Sequence, residues 1–171
     1  NYILTEMEES GRDFGSVLTE AQSLGYAEAD PSTDIDGLDA AHKLSILTSL
    51  AFGCPVDFKA VFVEGIRNIN SLDIEFAREL GYRIKLLGIT KLTKKGIEQR
   101  VHPCMVSYKT PIAKVNGVLN AVVVEGDYVG QTVFEGAGAG EKPTASAVVG
   151  DLIDLARNHV APPFSIPVSM L

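Results

Sequence analysis

The stretch from Leu38 to Phe52 constrains this chain more than any other. Leu38, Ala41, Leu44, Ile46, Leu47, Leu50 and Ala51 put apolar side chains on most faces of a helix, and such a helix is expected inside a core rather than on a surface. Its polar exceptions are therefore informative. Asp39 and Lys43 are four residues apart, which stacks them on one face one turn apart. An ammonium and a carboxylate each cost several kcal/mol to bury unless they are paired and hydrogen-bonded. Two readings stand side by side: a structural ion pair at the exposed start of the helix, or a site.

Phe14, Val17, Leu18, Ala21 and Leu24 recur at helical spacing before Gly25, which predicts an amphipathic helix near residues 10 to 24. The run from Tyr26 to Asp34 contains Pro31 and small polar residues and reads as an acidic loop without regular structure. On the plainest reading Glu28 and Asp34 are solvated side chains of that loop. A third helix is predicted near 71 to 80, capped by Asn70 or Ser71, with Asp73 in its first turn and Gly81 at its end.

β-Branched runs bounded by turn residues predict strands at 60–63, 83–93, 97–107, 118–125 and 128–135. Thr93-Lys94-Lys95-Gly96 and Glu125-Gly126-Asp127 are short enough for hairpin turns, so the pairing should be largely antiparallel. A last helix, about 142 to 158, carries Pro143 in its first turn and follows Gly136-Ala137-Gly138-Ala139-Gly140. The expected fold class is α+β, a mostly antiparallel sheet covered by helices.

Composition narrows the partners. A length of 171 residues with 46% hydrophobic side chains suits one domain, expected over 1–158. Residues 159–171, with Pro162, Pro163 and Pro167, read as an extended linker to a further segment. A start at Asn1 inside a helical pattern reads as a piece of a longer chain. The net charge of −7 and pI near 4.9 argue against nucleic acid. No apolar run reaches the ~20 residues that span a bilayer, so no membrane association and a cytoplasmic location are expected. Cys54 and Cys104 lack CxxC spacing and read as reduced core thiols. His42, His102 and His159 share no ligand spacing, so no transition metal is expected.

The run from Ala21 through Gly25-Tyr26-Ala27-Glu28-Ala29-Asp30-Pro31 to Gly37-Leu38-Asp39-Ala40-Ala41-His42-Lys43 closely resembles the homoserine dehydrogenase signature. Asn1-Tyr2-Ile3 resembles the end of the family segment that joins its nucleotide domain to its substrate domain. Gly65-Ile66, Gly81 to Leu87, His102-Pro103, the glycine run at 136–140 and Pro143 to Ala147 are similar too. The fold this implies is that of the C-terminal domain of two-domain dehydrogenases.

The resemblance implies reversible hydride transfer between a nicotinamide, NADP or NAD, and the carbon that is alcohol in homoserine and aldehyde in aspartate semialdehyde. It implies Lys43 as the acid/base, Glu28 and Asp39 as carboxylates that hold the amino acid, and Asp34 and Tyr26 as further pocket residues. Gly138 and Gly140 become the rim where the chain returns toward the nicotinamide; without the resemblance they read as a tight turn. It also implies a homodimer formed through the sheet.

Chemistry agrees with these roles. The ammonium of homoserine wants carboxylates within charge-assisted hydrogen-bond reach, and alcohol oxidation must shed a proton as the hydride leaves. A Gly-x-Gly-x-x-Gly fingerprint is missing from the sequence, so this stretch is expected to be inactive by itself. Two rivals remain: an aldehyde dehydrogenase with a nucleophilic cysteine, and a non-catalytic dimerisation or ligand-sensing module.

Overall fold

The computed structural model describes residues 1–138 and 140–159. Helix α1 (Tyr2–Ser10) and helix α2 (Phe14–Ser23) are separate elements. Gly11, at φ 68°, ends the first, and the Asp13 side chain caps the second by accepting from the Ser16 amide at 3.0 Å. Ile3, Leu4 and Met7 of α1 pack with Val17 and Ala21 of α2 and with Ile35, Ile66 and Ile74 in the main core.

The acidic loop is not wholly irregular. Ser32–Ile35 forms a single helical turn, α3, which follows Pro31 and buries Ile35. The proline, expected to forbid regular structure, instead sits at the N-cap of that turn, where no helical hydrogen bond needs its missing N–H.

Helix α4 (Leu38–Phe52) has the predicted limits. Its inner face, Ala41 and Leu44, meets Val61 and Val101 in a second core cluster. The expectation of a fully sunken helix does not hold, because Leu38, Ile46, Leu47 and Leu50 are exposed. Apolar character is a necessary condition for burial and not a sufficient one. Helix α5 (Ser71–Glu79) opens with a reciprocal capping box between Asn70 and Asp73.

Strands β1 (Phe62–Val63), β2 (Tyr82–Thr93) and β3 (Gly96–Ser107) form one sheet in the order β1-β3-β2. β2 and β3 are antiparallel through a two-residue turn, Lys94-Lys95, while the short β1 runs parallel to β3. β4 (Leu119–Gly126) and β5 (Gly130–Ala137) form a separate antiparallel ribbon, followed by helix α6 (Glu141–Ala156). Neither the ribbon nor α6 contains a buried residue among those described. The fold is α+β, with a mainly antiparallel sheet and helices packed on it. The linker expected at 159–171 lies, from residue 160, outside the described residues.

Candidate active site

Two backbone devices place the start of α4. Gly37 precedes the helix at φ 80°, a left-handed conformation open to glycine. Gly65 lies flat against the chain at Ile35–Asp36, where a side chain would overlap the Ile35 carbonyl oxygen and the Asp36 backbone. The Ile66 amide donates to that same carbonyl at 2.7 Å. The guanidinium of Arg67 then pairs with Asp36 and donates to the Ser32 hydroxyl at 3.1 Å. The Arg67 pairing holds the Asp36 carboxyl below its usual range.

Near the start of α4, Lys43 Nζ donates to Asp39 Oδ2, one turn earlier, at 2.7 Å. The side chains are 67% and 45% exposed, so this pair faces solvent in the isolated chain and is not buried with the helix. The first-turn carboxylate also stands at the positive end of the helix dipole. Glu28 and Asp34 are exposed, and their carboxylates make no hydrogen bond or ion pair among the described residues. The loop itself is tied down by its backbone: Gln22 donates to the carbonyls of Glu28 and Ala29 at 3.0 and 3.2 Å. Tyr26 packs its ring on Tyr2 with centroids 4.9 Å apart.

Gly138 and Gly140 lie elsewhere. Gly138 lines a shallow cleft of about 350 Å³ between β4 and β5, edged by Asn120, Val122 and Phe134. Gly140, at φ 110°, is the residue from which α6 starts. Neither β5 nor α6 packs extensively on α4. The geometry thus brings Asp39 and Lys43 together and sets Tyr26 against Tyr2, while the two glycines form a second locus.

The Cys104 Sγ lies 3.4 Å from His102 Nδ1. Burial raises the Cys104 thiol above its ordinary value, against a smaller opposing effect of Arg100, and Cys54 points its Sγ at the Thr48 carbonyl, 3.9 Å away. Sequence reasoning overlooked Lys85, a buried cation in the apolar run Ile84-Lys85-Leu86-Leu87. A lone lysine between β-strand hydrophobics was the available signal.

Comparison with known proteins places these elements in one family. Residues 1–153 match the family model described as homoserine dehydrogenase. The homoserine dehydrogenase of Neisseria gonorrhoeae is 59% identical over 157 residues, a span covering 92% of this chain and 36% of that protein. The Pseudomonas aeruginosa enzyme is 55% identical over 163 residues, covering 95% of this chain and 38% of that protein. The crystal structure of a homoserine dehydrogenase from Thiobacillus denitrificans superposes with a TM-score of 0.90 at 56% identity, across 93% of this chain and 37% of that one. A hyperthermophilic archaeal homoserine dehydrogenase mutant in complex with NADPH shares the fold at a TM-score of 0.71 and 33% identity, across 92% of this chain and 44% of that one. The chain spans just over a third of the length of the curated relatives it matches. With a family model matching residues 1–153 and a superposition of this quality, the chain belongs to the homoserine dehydrogenase family.

Proposed function

We propose that this chain is the substrate-binding and dimerising part of an enzyme that interconverts L-homoserine and L-aspartate 4-semialdehyde with NADP or NAD. The observation that carries the reading is the 2.7 Å contact of Lys43 with Asp39 beside the acidic loop, within the region matched by the family model. Lys43 stands within hydrogen-bond reach of the Asp39 carboxylate. In the reductive direction it can hand a proton to the aldehyde oxygen, and in the oxidative direction the neutral amine can take the hydroxyl proton. Asp39 and Glu28 can accept hydrogen bonds from the substrate ammonium, with Asp34 and Tyr26 at the edge of the same loop.

The bound nicotinamide would supply the hydride acceptor or donor. On this chain the residues that suit it are few: Gly138 offers side-chain-free backbone on a cleft, and Gly140 starts a helix. They fit a rim and not a phosphate cradle, so the nucleotide's main hold belongs to another part of a longer enzyme. A homologue in complex with NADPH supports a nicotinamide nucleotide as the cofactor class. The bare ribbon and α6 support assembly, the ribbon with a second copy of the chain. Biosynthesis of threonine, methionine and isoleucine in the cytoplasm is the matching role.

The decisive experiment assays the complete enzyme and this 171-residue chain with homoserine and each nucleotide. Turnover by the complete enzyme and none by the chain is expected. Absence of homoserine turnover in the complete enzyme would overturn the reading.

A further inference from the structure

Lys85 is the only charged residue that is buried among the described residues, at 4% exposure. Its Nζ donates to the Val115 carbonyl at 2.6 Å, to Asn1 Oδ1 at 3.1 Å and to Asn116 Oδ1 at 3.4 Å. No carboxylate forms an ion pair with it, so a costly buried charge is held by neutral oxygens alone. Its cross-strand neighbour on β3 is Cys104, which gives no compensating charge.

The oxygens it gathers come from distant parts of the chain. Asn1 is itself a junction, with Nδ2 lying 3.2, 3.1 and 3.1 Å from the carbonyls of Val115, Gly117 and Leu119. The next residue, Tyr2, carries the ring on which Tyr26 packs. A continuous set of contacts therefore runs from Lys85 through Asn1 and Tyr2 to Tyr26, at the start of the acidic loop.

We propose that Lys85 is a positioning residue for the amino-acid site, holding Asn1 and Tyr2 so that the loop from Tyr26 to Asp34 presents its side chains to the substrate. This rests on the function proposed above. It touches neither substrate nor nucleotide; it acts through the Asn1–Tyr2 segment, as supporting side chains act on a site's reactive ones.

The test is made in the complete enzyme, varying homoserine and the nucleotide separately. Lys85→Met is expected to raise the homoserine KM about tenfold while leaving the nucleotide KM within about twofold. Asn1→Ala, which removes the same link from its other side, should give the same selective rise, and it decides the matter if Lys85→Met does not fold. Unchanged homoserine KM in a folded variant overturns the proposal, as does a parallel loss of all parameters matching the folded fraction. If the unmodified enzyme does not turn homoserine over, the functional reading itself falls and takes this proposal with it.

Discussion

Gly65 lies so close to Ile35 that a Cβ at Gly65 would overlap the Ile35 carbonyl oxygen. The obstacle is backbone, which cannot rotate away as a side chain end can. Gly65→Ala should therefore destabilise the chain by about 3 kcal/mol, the upper range for overpacking, and displace the segment leading into α4. Denaturant unfolding reads the first effect, and a rise in homoserine KM of the complete enzyme reads the second. A stability within ~0.5 kcal/mol of the parent would mean that the two backbones are not held this tightly.

Lys43→Ala separates chemistry from architecture. The ion pair with Asp39 is more than a third exposed on both sides, so its loss should change stability by less than about 1 kcal/mol. Turnover of the complete enzyme should fall by about 10² or more, the usual scale for losing an acid/base group. A change in KM with turnover intact would make Lys43 a binding residue instead.

Glu8 and Arg83 form a pair of the opposite kind, 3.1 Å apart with side chains only 11% and 15% exposed. Tyr108 donates to Glu8 at 2.8 Å, while Arg83 also reaches the Ala113 carbonyl at 2.6 Å and lies over the Tyr108 ring. Removing Glu8 leaves the largely shielded Arg83 guanidinium without its counter-charge, so Glu8→Ala should cost about 3 kcal/mol. Thermal or denaturant unfolding of the variant checks it.

Lys85 gives stability a pH dependence of defined sign. Burial, aided by the charge of Arg83 and opposed by Glu8 and Glu9, pushes its ammonium down to about 8 from the usual 10.5. Below about pH 8 both folded and unfolded chains hold the proton, and the full penalty is present. As pH rises from 8 toward 10.5, only the unfolded chain retains it, so the folded state gains, by on the order of 3 kcal/mol at most. The unfolding free energy of the parent relative to Lys85→Met should therefore increase between pH 8 and 10. A flat difference would show that the lysine titrates alike in both states.

Val122 and Phe134 face each other across the ribbon, 40% and 62% exposed. Covering them in a homodimer predicts that Phe134→Glu shifts the complete enzyme toward monomer in sedimentation velocity. A dimer of unchanged stability would locate the contact elsewhere.

Much of this was legible in the residues. Strong periodicity and paired punctuation marked α4, α5 and the β2–β3 hairpin, where local signals and packing agree: Asn70 and Gly81 bound one, Lys94-Lys95 turns the other. The single turn at Ser32–Ile35 was not, because its stability comes from the buried Ile35 and from Arg67, thirty-one residues beyond Asp36. The outward face of α4 was misjudged because apolar spacing reports what can be buried and not what is. Lys43 and Asp39 could be paired from spacing alone; the Lys85–Asn1 link, 84 positions long, could not.

Because Asp39 and Lys43 ride on successive turns of one helix, no hinge outside α4 can separate their backbones. Any gating in the complete enzyme must then move something else, either the loop that precedes α4 or the parts that approach it from outside, while the lysine and its carboxylate keep their spacing along the helix through every opening and closing.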